Sequence, residues 1–132
     1  MAKHHIIYSS KAPPPVGPYS QAIQANGMIY VSGQIAIDPQ SGNLCMGSIA
    51  EETKQVLENL KAVLEAGGAS LNHVVKCSIF LSDMKYYAEV NAVYETYFTD
   101  IQPARETVAV AGLPMAVNVE ISAIACLTFT TN

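Results

Sequence analysis

Charged residues are scarce in this chain. They make up 14% of the 132 residues, whereas globular proteins usually carry about 25%, and half of the residues are hydrophobic. So few charges would leave much apolar surface in water if one copy stood alone. The composition therefore favours an assembly in which copies of the chain cover part of one another's surface.

Several functional motifs are missing as well. The chain contains no glycine-rich phosphate loop, no zinc-type spacing and no nucleophile elbow, so we expect neither a metal nor a cofactor. A net charge of −4 without a lysine cluster argues against a nucleic-acid partner. Three widely spaced cysteines, an odd number, are typical of reduced thiols. With no signal-peptide core and no membrane-length apolar run, we expect a cytoplasmic protein without a membrane partner.

Arginine occurs once, at Arg105, and the six other basic residues are lysines. A guanidinium holds a carboxylate through two parallel hydrogen bonds, which lysine cannot do. Further along, residues 117–127 alternate between apolar odd positions and a second face that carries Glu120. Ile124 and Cys126 share that second face, so we expect Glu120 to point into a partly covered space. If the two strands pair as an antiparallel hairpin, Arg105 and Glu120 share a face only when the connecting loop has an even number of residues.

Turn and helix signals divide the rest of the chain. A strand is predicted at residues 5–8, followed by a hairpin around Asn26-Gly27. A capping box at residues 48–51 begins an amphipathic helix that ends at Gly67-Gly68, with its charged residues mostly on the outer face. A buried strand at 73–82 and a second helix at about 84–98 come next. The predicted fold is α+β, in the order β-β-β-α-β-α-β-β, within a single domain of residues 1–132.

The two predicted helices cover one face of a largely antiparallel sheet. The other face would remain open unless further copies pack against it, so we expect it to face inward in the assembly. A proline-rich stretch at residues 11–18 cannot pair as the interior of a strand and forms a stiff loop. Tyr19 follows it directly, so the loop either fixes where this side chain points or serves as a plain linker.

Four segments together resemble the reactive-intermediate deaminases, the Rid (YjgF) family: Gly17-Pro18-Tyr19-Ser20-Gln21-Ala22, Tyr30-Val31-Ser32-Gly33-Gln34-Ile35, Pro103-Ala104-Arg105 and Val119-Glu120-Ile121. The resemblance implies a chorismate-mutase-like fold, a homotrimer and clefts between subunits. It also implies a cofactor-independent hydrolase for metabolite damage control. Such an enzyme converts reactive enamines and imines, chiefly 2-iminopropanoate and 2-iminobutanoate, to 2-oxo acids and ammonia.

The resemblance also implies roles for individual residues. Arg105 matches the arginine that binds the substrate carboxylate, and Glu120 matches the acid that orients or deprotonates the attacking water. Tyr19 would place that water. The remaining expected substrate-binding residues are Ser32, Gly33, Asn91 and Thr107.

Two departures from the family pattern bear on substrate preference. Thr107 stands where many active members carry cysteine, and Ser122 replaces a second glutamate. Other interpretations of the key residues remain open: an interface salt bridge from Arg105 to Glu106 or Glu120, and plain packing for Tyr19. A non-catalytic protein that binds 2-oxo acids in the same cleft is the alternative function. A ribonuclease is disfavoured because the chain is acidic and lacks a basic groove.

Overall fold

The structure is a computed structural model that describes residues 3–127. Its main elements are β1 (His4–Ile7), β2 (Ala22–Ala25), β3 (Met28–Gln34), α1 (Ile49–Ala66), β4 (Val74–Leu81), α2 (Tyr87–Tyr97), β5 (Ala104–Ala109) and β6 (Val119–Cys126). This order confirms the predicted α+β class and sequence of elements. The predicted domain bounds of 1–132 extend beyond the described residues at both ends.

The six strands form one sheet in the order β1-β2-β3-β6-β4-β5. Both helices cover the same face and share one core with the sheet. That core contains the predicted apolar stripe of α1 together with side chains of α2 and of the central strands: Val56, Leu57, Leu60, Val63, Leu64, Val90, Tyr94, Ile29, Ile79 and Ile121. Burying such side chains provides the main drive for folding, at roughly 25 cal/mol per Å² of apolar surface.

Local signals in the sequence fix the ends of several elements. Asn26 and Gly27 both have positive φ, 50° and 74°, as the predicted type I′ hairpin turn between β2 and β3 requires. Ser48 caps α1 by accepting a hydrogen bond from the Glu51 N–H at 3.0 Å. Within residues 3–127 the return bond from the Ser48 N–H to the Glu51 carboxylate is not formed, so only half of the predicted capping box exists. Gly68, at φ 82°, ends the helix in the left-handed conformation.

The strand that carries Arg105 does not pair with the strand that carries Glu120, so the predicted hairpin is wrong. β5 lies at the edge of the sheet, parallel to β4, and β4 separates it from β6. The reason is the intervening helix. α2 returns the chain to the end of the sheet where β4 began, and a strand that follows such a crossover runs parallel to the preceding one.

One charged residue of α1 lies inside the protein, contrary to the expectation that these residues lie on the outer face. Glu52 is only 1% exposed. Its carboxylate accepts hydrogen bonds from the backbone N–H groups of Asn118 and Val119, at 2.7 and 2.9 Å, and from the Asn118 amide at 3.0 Å. These bonds compensate the burial of the charge and tie the first residues of β6 to the helix.

We expect Glu52→Gln to destabilise the fold by about 2–3 kcal/mol, because its single oxygen can serve the two backbone N–H groups only if its NH2 faces the Asn118 amide NH2, which then has no acceptor. Urea unfolding at a fixed protein concentration measures the change. Glu51→Gln, the exposed neighbour, is the matched control and should change the free energy of unfolding by less than about 0.5 kcal/mol. Equal effects of the two substitutions would contradict a stabilising role for the Glu52 carboxylate.

Candidate functional site

Arg105 lies on the helix-covered face of β5, against two tyrosines of α2. Its guanidinium carbon is 4.9 Å from the centre of the Tyr94 ring and 5.7 Å from that of Tyr87. The Arg105 Nη2 also donates a hydrogen bond to the Tyr87 hydroxyl at 3.1 Å. Aromatic faces attract a cation and limit its movement. The guanidinium is therefore held in place while most of its N–H groups remain available to a ligand.

An open cavity of about 320 Å³ adjoins this arginine, lined by Asn91, Tyr94, Glu95, Gln102, Pro103 and Arg105. Hydrogen bonding by Asn91 lowers the pKa of the Tyr87 hydroxyl, and the charge of Arg105 lowers it further. Thr107 follows on the same face of β5, and its buried hydroxyl has no hydrogen-bond partner within the described residues. Arg105, Asn91 and Thr107 thus lie on one side of the sheet, which we call the arginine side.

Among the described residues of the chain, Arg105 is not engaged in a salt bridge. The single ion pair found in residues 3–127 joins Lys76 to Glu106, with 3.0 Å between nitrogen and oxygen. Glu106 also accepts a hydrogen bond from Ser78, which together with Lys76 lowers the pKa of its carboxyl group. The open interpretation in which Arg105 pairs with Glu106 therefore does not apply within one copy of the chain.

Glu120 lies on the opposite face of the sheet. In register, Arg105 stands beside Cys77 of β4, while Glu120 stands beside Phe80, three residues further along that strand. Side chains that are neighbours in register share a face, and an odd separation along a strand changes the face. The structure therefore contradicts the arrangement in which a hairpin places Arg105 and Glu120 on one face of one chain.

The Glu120 carboxylate faces an open cavity of about 340 Å³. The side chain is half-buried, and burial raises the pKa of its carboxyl group above the ordinary value of 4.5. Within residues 3–127 no hydrogen-bond donor or cation contacts this carboxylate. The expectation of a partly covered space around Glu120 is confirmed, and the group is a candidate proton acceptor.

A bulge in β3 brings the backbone next to Glu120. The register with β6 shifts between Val31 and Gln34, so Ser32 and Gly33 lie opposite a single residue of β6. The Ser32 hydroxyl donates to the carbonyl of Ser20 at 2.6 Å. A Cβ added to Gly33 would lie 2.7 Å from the Glu120 Cδ. Glycine therefore allows the carboxylate to pack directly against the backbone, and a larger residue would displace it.

The proline-rich loop forms the other wall of this cavity and is fixed by Gln21. The Gln21 side chain is buried, accepts from the Ser9 N–H at 2.6 Å, and donates to the carbonyls of Pro13 and Ser9 at 2.8 and 3.1 Å. Tyr19 lines the cavity, and its hydroxyl accepts from the Val16 N–H at 3.2 Å. The loop thus sets the position of Tyr19. The role of Gln21 in fixing the loop was not predicted, although a glutamine between a proline-rich loop and a strand is a signal for such bonding.

The candidate residues therefore form two groups. Tyr19, Ser32, Gly33 and Glu120 surround one cavity, which we call the glutamate side, and the arginine side lies across the sheet. One copy of the chain does not bring the two groups together. In the part of the chain that is described, no group of three His, Cys, Asp or Glu side chains is placed to hold a metal ion. The helices there are also too short or too polar to cross a membrane.

The structure is thus a small α+β protein with one cavity beside Arg105 and a separate one beside Glu120, and comparison with known proteins identifies its family. The model of the family described as endoribonuclease L-PSP matches residues 9–127. A RutC family protein of Pyrococcus abyssi is 51% identical over 125 residues, covering 95% of this chain and 98% of that protein. A mouse protein named 2-iminobutanoate/2-iminopropanoate deaminase is 48% identical, covering 91% and 89%.

A solved structure of a conserved Rid family protein from Yersinia pestis is also similar. It superposes with a TM-score of 0.92 at 43% sequence identity, covering 94% of this chain and 99% of that chain. The chain belongs to the Rid (YjgF) family, and the expected family membership is confirmed.

We expect Gly33→Ala to displace the Glu120 carboxylate, because the new methyl group overlaps the carboxyl carbon, and to change the free energy of unfolding only slightly, since the end of the Glu120 side chain can turn into the open cavity. Gly112→Ala is the matched control, since a Cβ there meets nothing within 4 Å. Urea unfolding and the carboxyl chemical shift of Glu120 measure the two effects. An unchanged chemical shift in Gly33→Ala would contradict the close contact.

We expect Glu120→Gln to stabilise the protein at pH 7. Since burial raises the pKa of Glu120, the folded state binds this proton more tightly than the unfolded state does. The stability contributed by the protonated form is therefore lost as the pH rises through the raised pKa, whereas glutamine remains neutral. The melting temperature of Glu120→Gln should exceed that of the wild type at pH 7, and this difference should disappear when the pH falls below 4.5, the ordinary pKa of the carboxyl group.

Glu106→Gln is the control, because the pKa of Glu106 is shifted in the opposite direction to that of Glu120. Hydrogen bonding by Ser78 and the charge of Lys76 lower the pKa of Glu106, so its charged form contributes stability at pH 7. This variant should show no gain in melting temperature. A gain of the same size in both variants would point to a general effect of net charge and contradict the role of burial at Glu120.

Proposed function

We propose that this protein hydrolyses 2-imino acids such as 2-iminopropanoate and 2-iminobutanoate to 2-oxo acids and ammonia, in a site shared by two copies of the chain within a homotrimer. One observation carries the proposal. Arg105 and Glu120 each face an open cavity without an ionic partner inside residues 3–127, and they lie on opposite faces of the same sheet. A second copy that places its glutamate side against the arginine side of the first would complete one site.

Composition and surface chemistry support a shared site. Charged residues are few, and the sheet face opposite the helices carries large exposed apolar side chains, including Tyr30 and Val108. Contacts between copies would cover such a surface. The mouse relative is named as a deaminase of these imino acids, which supports the substrate class. Within residues 3–127, Cys45, Cys77 and Cys126 form no disulfide bond, in keeping with the proposed cytoplasmic location.

In the proposed reaction, Arg105 binds the substrate carboxylate and Glu120 activates water. Water adds to the carbon of the protonated imine while Glu120 accepts one of its protons, so a C–O bond forms and the nitrogen becomes an amine. Glu120 then returns the proton to the nitrogen, and the C–N bond breaks as ammonia leaves with the electron pair. The adduct's hydroxyl group gives its proton to the Glu120 carboxylate as the C=O bond forms, and the released ammonia takes up this proton to become ammonium. Positioning and one proton relay are enough for such a reactive substrate.

The remaining polar groups would hold the substrate in this geometry. The backbone at Ser32 and Gly33 approaches closely because the bulge and the glycine leave room. Tyr19 would position the water, since the bond from the Val16 N–H fixes its hydroxyl. Across the site, Asn91 offers a further hydrogen bond near Arg105, and the unpartnered hydroxyl of Thr107 lies buried behind the cavity lining on the same face of the sheet.

We expect Arg105→Ala to lose both turnover of freshly generated 2-iminopropanoate and binding of 2-oxo acids, because each needs the guanidinium. Glu120→Ala should lower kcat by about 10²–10⁴ and keep 2-oxo-acid binding. A coupled assay for the imine and calorimetry with pyruvate measure the two properties. Full hydrolysis by Glu120→Ala would remove the water-activating role. Binding of 2-oxo acids without any turnover by wild type would instead favour a non-catalytic binding protein.

The shared site itself is tested by mixing inactive variants. We expect co-expressed Arg105→Ala and Glu120→Ala chains to recover activity, because a cleft that takes its arginine from one chain and its glutamate from the other is intact. With random assembly in equal amounts, roughly a quarter of the shared sites should have both groups. Each variant expressed alone is the control. No recovery in mixed oligomers would contradict a site between copies.

A further inference from the structure

The glutamate side continues beyond the carboxylate into an apolar recess. Its far wall consists of Pro14, Pro15, Val16, Ile35, Ile37 and Pro114. Of all the residues that line the cavity, only Glu120 carries a charge. A recess of this character repels an anionic group, because its single charged group is itself a carboxylate, and it accepts apolar carbon.

The recess is also preformed. Its proline loop has restricted backbone angles, and the buried Gln21 side chain holds that loop through bonds to Ser9 and Pro13. The hydroxyl of Tyr19 accepts a hydrogen bond from the N–H of Val16 at 3.2 Å, which fixes the residue at the rim. A rigid apolar pocket binds its ligand without the cost of ordering a loop.

The volume of the cavity exceeds what the smallest substrates require. At about 340 Å³, it falls within the range of roughly 300–1,000 Å³ that is typical of ligand pockets, whereas the side chain of 2-iminopropanoate is a single methyl group. A substrate of that size would leave most of the apolar wall in contact with water.

We infer that this recess binds the side chain of the substrate and that the protein prefers 2-imino acids with apolar side chains longer than ethyl, such as the imine derived from leucine. The inference rests on the proposed function. The imine carbon carries three groups: the carboxylate, the nitrogen and the side chain. Arg105 of one copy takes the carboxylate, and Glu120 of the other acts on water at the imine carbon. The recess beside Glu120 is then the apolar space left for the side chain.

The expected preference follows from apolar burial. Each methylene transferred from water into the recess should raise kcat/KM by a factor of about four, and imperfect contact reduces this gain. The leucine-derived imine, 2-imino-4-methylpentanoate, has three more side-chain carbons than 2-iminopropanoate. We therefore expect it to be hydrolysed with a kcat/KM at least about tenfold higher.

Val16→Asp tests the recess directly. Val16 lines the rim and is 65% exposed, so an aspartate can be tolerated by the fold while it places a charge where the side chain would bind. The ratio of kcat/KM for the two imines should fall by about tenfold. Ile6→Asp is the matched control, because Ile6 is an exposed aliphatic residue, 72% accessible, that lines neither cavity. It should leave the ratio unchanged.

The possible results separate this inference from the proposed function. Hydrolysis of 2-iminopropanoate at least as fast as that of the longer imine, or an unchanged ratio in Val16→Asp, would overturn the inference and leave the deaminase proposal intact. If neither imine is hydrolysed, binding of the 2-oxo acids decides. Tighter binding of 4-methyl-2-oxopentanoate than of pyruvate, lost in Val16→Asp, supports the recess while the hydrolytic proposal fails. If 4-methyl-2-oxopentanoate and pyruvate bind equally tightly, the inference is overturned as well.

Discussion

The alternation of side chains across a β-sheet is the constraint on which the rest of this structure depends. Arg105 stands beside Cys77 and Glu120 beside Phe80, so the two groups lie on opposite faces of one sheet. No rotamer change can bring them together, because the backbone of β4 and the register on both of its sides lie between them. Any chemistry that needs both groups must therefore draw them from different copies of the chain.

Two buried polar side chains fix the glutamate side within each copy. Glu52 holds the start of β6 through bonds to Asn118 and Val119, one residue before Glu120. Gln21 holds the proline loop through Ser9 and Pro13. Buried polar groups are costly unless every bond is made, so such fully bonded residues determine a single local arrangement. The cavity is thereby positioned from the helix on one side and from the loop on the other.

The sequence predicted what depends on local signals. The type I′ turn at Asn26-Gly27, the apolar stripe of α1 and the alternation around Glu120 were correct because each follows from the chemistry of a few adjacent residues. The pairing of β5 was not predictable in this way, since it depends on where α2 returns the chain. The position of Glu52 was also missed, because helical spacing cannot show that distant backbone N–H groups will meet a carboxylate.

The environment of Arg105 was missed for the same reason. The rings of Tyr94 and Tyr87 both contact the guanidinium, and these contacts cross from helix to sheet edge. A half-buried carboxylate without a donor costs stability within one chain, whereas the cation is held by aromatic faces and keeps no carboxylate partner in residues 3–127. Such costs are typical of functional groups that are kept available for a ligand. Within residues 3–127, Glu120 and Arg105 are both left without an ionic partner, one on each face of the sheet.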